Sequence, residues 1–169
     1  MNIPQTFWAW YNKHYTLNII VAVALFAIQF VHLYWLTTHV VIHKIFGVSL
    51  WDPTTLLQNL LILADYTEIP ALVSTSLIYL NNLRKKFDFK STLYITLLYS
   101  QFLHIFWITD EFVVEQLTGR TETILPLWLA WVAIMIDYLE LPVIFDTVNK
   151  LIKVLKRRLG QLKGVFKTD

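Results

Sequence analysis

Two histidines and four carboxylates recur at one interval in this otherwise apolar chain. His32 and His104, Asp65 and Asp137, and Glu68 and Glu140 are each 72 residues apart. Imidazole and carboxylate together are ligands for iron, manganese or zinc. Four carboxylates brought together cannot all carry charge without compensation, and two divalent cations would supply it. His39 and His43 follow His32 at spacings of seven and four, and Glu111 and Glu115 follow His104 in the same way. At about 100° per residue these spacings keep each trio within a narrow arc of a helix. The expected site is therefore dinuclear, with His32, Asp65, Glu68, His104, Asp137 and Glu140 as metal ligands. His39 and Glu111 would extend it or act as acid and base. His43 and Glu115 would line a route from the outer surface. Tyr66 and Tyr138, next to the aspartates, would donate hydrogen bonds to the carboxylates.

The repeat extends beyond the ligands. Each half reads Q-F-x-H-x-x-W-x-T, from Gln29 to Thr37 and from Gln101 to Thr109. A glycine follows (Gly47, Gly119), and then D-Y-x-E-x-P, ending at Pro70 and Pro142. No gap is needed to align these positions. What the halves share is mostly polar, while the apolar positions have diverged.

The elements that must position these residues are membrane helices. The chain has 169 residues, 56% of them hydrophobic and 15% charged, with a mean hydropathy of +0.52. A spanning helix needs about 20 mostly apolar residues. Four stretches qualify: Thr16–Phe46, Thr54–Leu80, Ser91–Leu117 and Pro126–Val148. None alternates with the period of a barrel strand. The fold expected is an all-α four-transmembrane-helix bundle made of two tandem hairpins. Parallel repeats of this kind are related by a pseudo-twofold axis along the membrane normal. The organisation expected is an interfacial segment (1–15), a first hairpin (16–80), a basic cytoplasmic loop (81–90), a second hairpin (91–148) and a basic amphipathic helix (149–169). Pro70 and Pro142, inside their spans, predict kinks.

Charge predicts orientation. Lys13, Arg84, Lys85, Lys86, Lys90 and the seven basic residues of the C-terminal tail fall on one side, against Lys44 and Arg120 on the other. By the positive-inside rule both termini are cytoplasmic. The tail from Asn149 to Phe166 would lie on the anionic inner leaflet. His32 lies about 15 residues before the outer turn near Gly47–Pro53, and Glu68 about 15 after it. His32, Asp65, Glu68 and their repeats thus share one depth near mid-membrane, where ionisable residues point to a functional site.

In composition this inventory resembles the site of the ferritin-like di-iron carboxylate bundles, which have four helices, two histidines and four carboxylates. It departs from their Glu-x-x-His motif, since here Asp-x-x-Glu lies on two helices and the histidines on the other two. The resemblance is one of site chemistry and implies two divalent metal ions, iron first, with zinc or manganese as alternatives.

The leading expectation is thus a membrane oxidoreductase of di-iron type acting on a lipid-soluble substrate. Its electrons would come from a donor protein, because no flavin or nicotinamide motif is present. The alternatives are a di-zinc hydrolase, a cation or proton pathway favouring a homo-oligomer, a haem b protein with His32 and His104 as axial ligands, and a structural subunit. The absence of cysteine excludes disulfide scaffolds, thiolate metal sites and cysteine nucleophiles. Nucleic-acid binding is not expected, since no domain presents the basic residues. No phosphate-binding glycine loop and no serine-hydrolase motif is present.

Overall fold

The computed structural model describes residues 3–119 and 123–165, which form helices and connecting turns with no strand among them. Arg120, Phe166 and Lys167, and the side chains of Glu115, Leu162 and Lys163, lie outside what is described. Helix α1 (Ile3–Lys13) precedes four long rods. The first rod joins α2 (Tyr15–Trp35), a π-helical turn (Leu36–Val41) and α3 (Ile42–Phe46). The second joins α4 (Thr55–Tyr66) and α5 (Glu68–Lys85). The third joins α6 (Phe89–Ile108), a π-helical turn (Thr109–Val113) and α7 (Val114–Thr118). The fourth joins α8 (Leu127–Asp137), a 3-10 turn (Tyr138–Glu140) and α9 (Leu141–Val165).

Three rods are long and apolar enough to cross a membrane: Tyr15–Phe46, Thr55–Lys85 and Leu127–Gly160. The third rod carries Lys90, Ser91, Ser100, Gln101 and His104, which lower its hydropathy, and it packs against α5 and α8. The apolar surface faces outward. Phe30, Val31, Leu60, Leu63, Val73, Val132 and Met135 are exposed, whereas Gln29, His32, Asp65, Glu68 and their repeats are buried. A water-soluble surface rarely exposes so continuous an apolar belt. This inversion is what a protein surrounded by lipid requires.

The interruptions follow from local chemistry. Proline lacks an N–H, and its ring clashes with the carbonyl four residues back. Pro70 therefore frees the Tyr66 carbonyl and Pro142 that of Tyr138. The α4–α5 junction lies at Thr67, and the 3-10 turn begins at Tyr138. The π-helical turns begin at or beside Thr37 and Thr109, whose hydroxyls bond back to the carbonyls of Leu33 (2.8 Å) and Ile105 (2.7 Å). Such back-bonding competes with the helical ladder.

Apolar layers enclose the polar level. On one side Trp35, Leu36, Leu61, Trp107, Ile108, Ala133 and Ile134 pack together. On the other Phe26, Ala71, Leu72, Leu98, Val143 and Ile144 do so. Beyond the second layer, Asp146 binds Lys90 (2.5 Å), Lys150 and the Tyr79 hydroxyl (2.9 Å), tying α5, α6 and α9 together. Asp88 caps α6 through the Ser91 amide (3.0 Å) and hydroxyl (2.8 Å), and the hydroxyl bond holds its carboxyl below the ordinary range.

The C-terminal tail does not begin as a separate helix. α9 runs through residue 149 without a break, and Leu151 and Val154 pack against Ile19, Ala22 and Ile78. The tail thus starts as an extension of the fourth rod.

Gly47 and Gly119 end the first and third rods with φ of +73° and +67°. A Cβ at either would meet nothing within 4 Å, so the cost of alanine there is purely one of backbone conformation. Gly47→Ala and Gly119→Ala should each destabilise the protein by about 1 kcal/mol. Thermal unfolding in detergent should show the two variants lowered alike.

Candidate metal centre

The two repeated motifs supply the centre from four rods. His32 is on α2 and His104 on α6. Asp65 and Asp137 lie at the ends of α4 and α8, the former one residue before the last; Glu68 opens α5 past the Thr67 junction, and Glu140 is the last residue of the 3-10 turn. In each motif the helical geometry changes after the aspartate, at Thr67 in the first half and over Tyr138–Glu140 in the second. Gln29 and Gln101 bridge to the same regions. The Gln29 amide donates to the Ala64 carbonyl (3.3 Å) and to the Thr67 hydroxyl (3.1 Å), and that of Gln101 to the Ile136 carbonyl (3.1 Å).

All six side chains are buried, none more than 2% exposed. His32 Nε2 lies 3.1 Å from Asp65 Oδ1 and 3.7 Å from Asp137 Oδ2. His104 Nε2 lies 3.5 Å from Asp65 Oδ1 and 3.9 Å from Asp137 Oδ1. Each imidazole thus faces the aspartate of its own half and that of the other. These are ion-pair distances without hydrogen-bond geometry: His32 Nε2, His104 Nε2 and both Asp65 oxygens have no hydrogen-bond partner. Both oxygens of Glu68 and both of Glu140 also lack one. His104 Nδ1 lies 3.2 Å from the Ala133 carbonyl. If it donates there, Nε2 is left as the ligand atom.

Two sets of ligand atoms converge within 4.8 Å: His32, His104 and Asp137, and Glu68, Asp137 and Glu140. Unpartnered acceptors on buried carboxylates fit a cation, because unpaired buried charge is costly. The donor set suits a first-row divalent metal.

The remaining candidates whose side chains are described are not gathered here, and Glu115 lies outside them. His39 Nδ1 faces the Ser49 hydroxyl (2.9 Å), the Trp51 carbonyl (3.0 Å) and Asp52 (3.7 Å). Glu111 accepts from Lys44 (2.6 Å) and from the Trp107 indole (2.5 Å). His39 stacks on Trp35, whose ring also contacts His32, so an indole lies between the two histidines. The physical reason is the π-helical turn. It holds more residues per turn than an α-helix, so seven residues no longer return to the same face. His39 and Glu111 instead join His43 and Lys44 around a separate pocket of about 180 Å³. A cation moving along this row would meet the Lys44 ammonium. Tyr66 and Tyr138 also differ from expectation. Their hydroxyls bind Thr109 (2.6 Å) and Thr37 (2.7 Å), not the carboxylates.

Asp110 was not a sequence candidate, and it is buried. Its Oδ2 accepts from the Ile124 (2.7 Å) and Leu125 (3.1 Å) amides, fixing the approach to α8. The haem alternative does not fit. The imidazole centroids are 5.4 Å apart, and both Nε2 atoms face Asp65 and Asp137 where a macrocycle would have to pass.

Fold and site together define a protein that is all-helical among the described residues, with three helices long and apolar enough to cross a membrane and a buried His/carboxylate cluster that could hold metal. No family model, curated protein or solved structure matches the chain.

The bonds Thr37–Tyr138 and Tyr66–Thr109 cross between the halves on either side of the cluster. Tyr66→Phe and Tyr138→Phe should each cost about 1 kcal/mol. Each should leave metal stoichiometry unchanged, which elemental analysis of the purified variants checks.

Proposed function

We propose that the chain is an integral membrane metalloprotein with a dinuclear His/carboxylate centre, and an oxidoreductase of di-iron type acting on a lipid-soluble substrate. One observation carries this reading: four buried carboxylates and two imidazoles converge, most of their ligating atoms lacking hydrogen-bond partners. Two divalent cations would balance the four carboxylates. His32, Asp65, Glu68, His104, Asp137 and Glu140 would hold them. Iron in such a centre supplies redox chemistry; zinc would supply hydrolysis instead, with manganese a third candidate.

The chain's own residues support a greasy substrate. An apolar pocket of about 120 Å³ lies between α5 and α6, lined in part by Leu72, Leu98 and Phe102. Leu72 is one turn beyond Glu68 on the same helix. The apolar layers on either side of the cluster keep bulk water from the ligands. Electrons would come from a separate donor protein. A homo-oligomer is not required by this reading.

The architecture we propose is a four-span bundle of two related halves around a pseudo-twofold axis. It is supported by features that recur at the 72-residue offset: the π-helical turns, the breaks before Pro70 and Pro142, the left-handed glycines and the glutamine bridges. The cluster then lies near mid-membrane, with both termini and the basic loop cytoplasmic. The chain has no cysteine, so single introduced cysteines report sidedness directly. In oriented vesicles an impermeant maleimide should label Asn82→Cys from the cytoplasmic side and Val48→Cys from the other. Labelling of both from one side would refute the topology.

Elemental analysis with an absorption spectrum on detergent-purified protein tests the function. The expected result is two metal ions per chain, with iron carrying the redox assignment. Glu68→Ala should lose metal, whereas His14→Ala, at the half-buried turn between α1 and α2, should keep it. A parent protein that takes up no metal after repletion would remove the metalloprotein reading. Zinc alone, tightly bound, would replace oxidation by hydrolysis.

A further inference from the structure

The converging ligands do not divide between the halves. One set takes both imidazoles, His32 and His104, and the other takes both glutamates, Glu68 and Glu140. Neither set combines the histidine, aspartate and glutamate of a single half. Asp65 Oδ1 adds to the first set, at 3.1 and 3.5 Å from the two Nε2 atoms. Asp137 belongs to both. An ion bound by both members of a repeated pair lies between the halves, not inside one. Glu68 and Glu140 each follow their aspartate by three residues, roughly 4.5 Å along a helix axis. The two sets are therefore displaced along the helix axes, toward the α5 and α9 side of the breaks.

We infer that the centre holds two inequivalent cations stacked along the helix axes, one in a mixed nitrogen–oxygen site and one in an all-oxygen site. The inference rests on the metalloprotein reading and deepens it. His32, His104, Asp65 and Asp137 form the mixed site. Glu68 and Glu140 form the all-oxygen site, with Asp137 shared between the two. All four glutamate oxygens are buried and without hydrogen-bond partners, which independently marks the second set as a ligand site. Imidazole favours zinc or iron, and carboxylate alone suits manganese or magnesium. The inequivalence lets one chain hold two different metals, each in the site that fits it. Asp137 couples them, and its loss should weaken both.

The test loads the full-length, chelator-stripped protein in detergent with Zn²⁺ and Mn²⁺ together. The expected content is one of each per chain, and the Mn²⁺ paramagnetic resonance should show no directly bonded nitrogen. The double variant H32A/H104A should lose zinc and keep manganese, and E68Q/E140Q should do the reverse. H32A/E68Q removes one ligand from each stacked site, so both ions should weaken, by at least tenfold in affinity. If H32A/E68Q instead keeps one ion intact while H32A/H104A keeps none, each half holds its own metal. That outcome overturns the stacked assignment and leaves the metalloprotein reading standing. Nitrogen coupled directly to Mn²⁺ in the doubly loaded parent overturns it too, without relying on any variant. A parent that binds neither metal removes both readings.

Discussion

Six ionisable side chains are buried in one layer of this protein, and among the described residues no lysine or arginine pairs with them. The ion pairs described for them are only with one another. Desolvating a single charged group costs several kcal/mol or more even after relaxation, and the effective cost is higher when like charges crowd. The surrounding structure is arranged around that cost. Trp35 and Trp107 cover the imidazoles on one side, with ring centroids 5.5 and 5.3 Å away. Ala71, Leu72, Val143 and Ile144 close the other side. The Gln29 and Gln101 amides, donors near the cluster, go to the Ala64 and Ile136 carbonyls and not to the carboxylates. What remains is a set of acceptors with no use inside the protein alone.

Much of this was legible in the sequence, because the repeat exposed it. The helical class, the long apolar stretches and the six buried residues all follow from composition, spacing and the 72-residue offset. Comparing one half with the other separates retained polar residues from drifting apolar ones. Depth along the rods then brings histidine, aspartate and glutamate to one level. These steps need only a constant rise per residue, which α-helices supply.

The angle per residue is less constant than the rise. Counting seven residues from His32 or His104 puts His39 and Glu111 on the ligand face, but the count runs through π-helical stretches. The signal that could have warned of this was present: Thr37 and Thr109 recur, and a threonine bonded to the carbonyl four residues back disturbs the ladder. Tyr66 and Tyr138 illustrate another limit. Adjacency in sequence on a helix points side chains apart, so each hydroxyl reaches across to a threonine of the other half. The role of Asp110 depends on the 124–125 amides, a contact that no periodicity encodes. The continuity of α9 past residue 149 was hidden because a change of composition was taken for a change of structure.

The halves are alike where the ligands sit and unlike at their Gly47 and Gly119 ends. His39 stands opposite Glu111 in the repeat, Thr38 opposite Asp110, and Lys44 opposite Gln116. The contacts described there join unlike positions of the two halves. Lys44 of one half pairs with Glu111 of the other, and Asp110 fixes the chain before α8. A duplicated pair of hairpins can place identical ligands on both sides of a shared axis, which suits ions held between the halves. A path to those ions has no such need for symmetry. The Asp146 contacts at the opposite end are unrepeated too, since Ser74, Asn18 and Leu151 stand opposite Asp146, Lys90 and Tyr79, so the halves diverge at both ends and stay alike in the layer that carries the ligands.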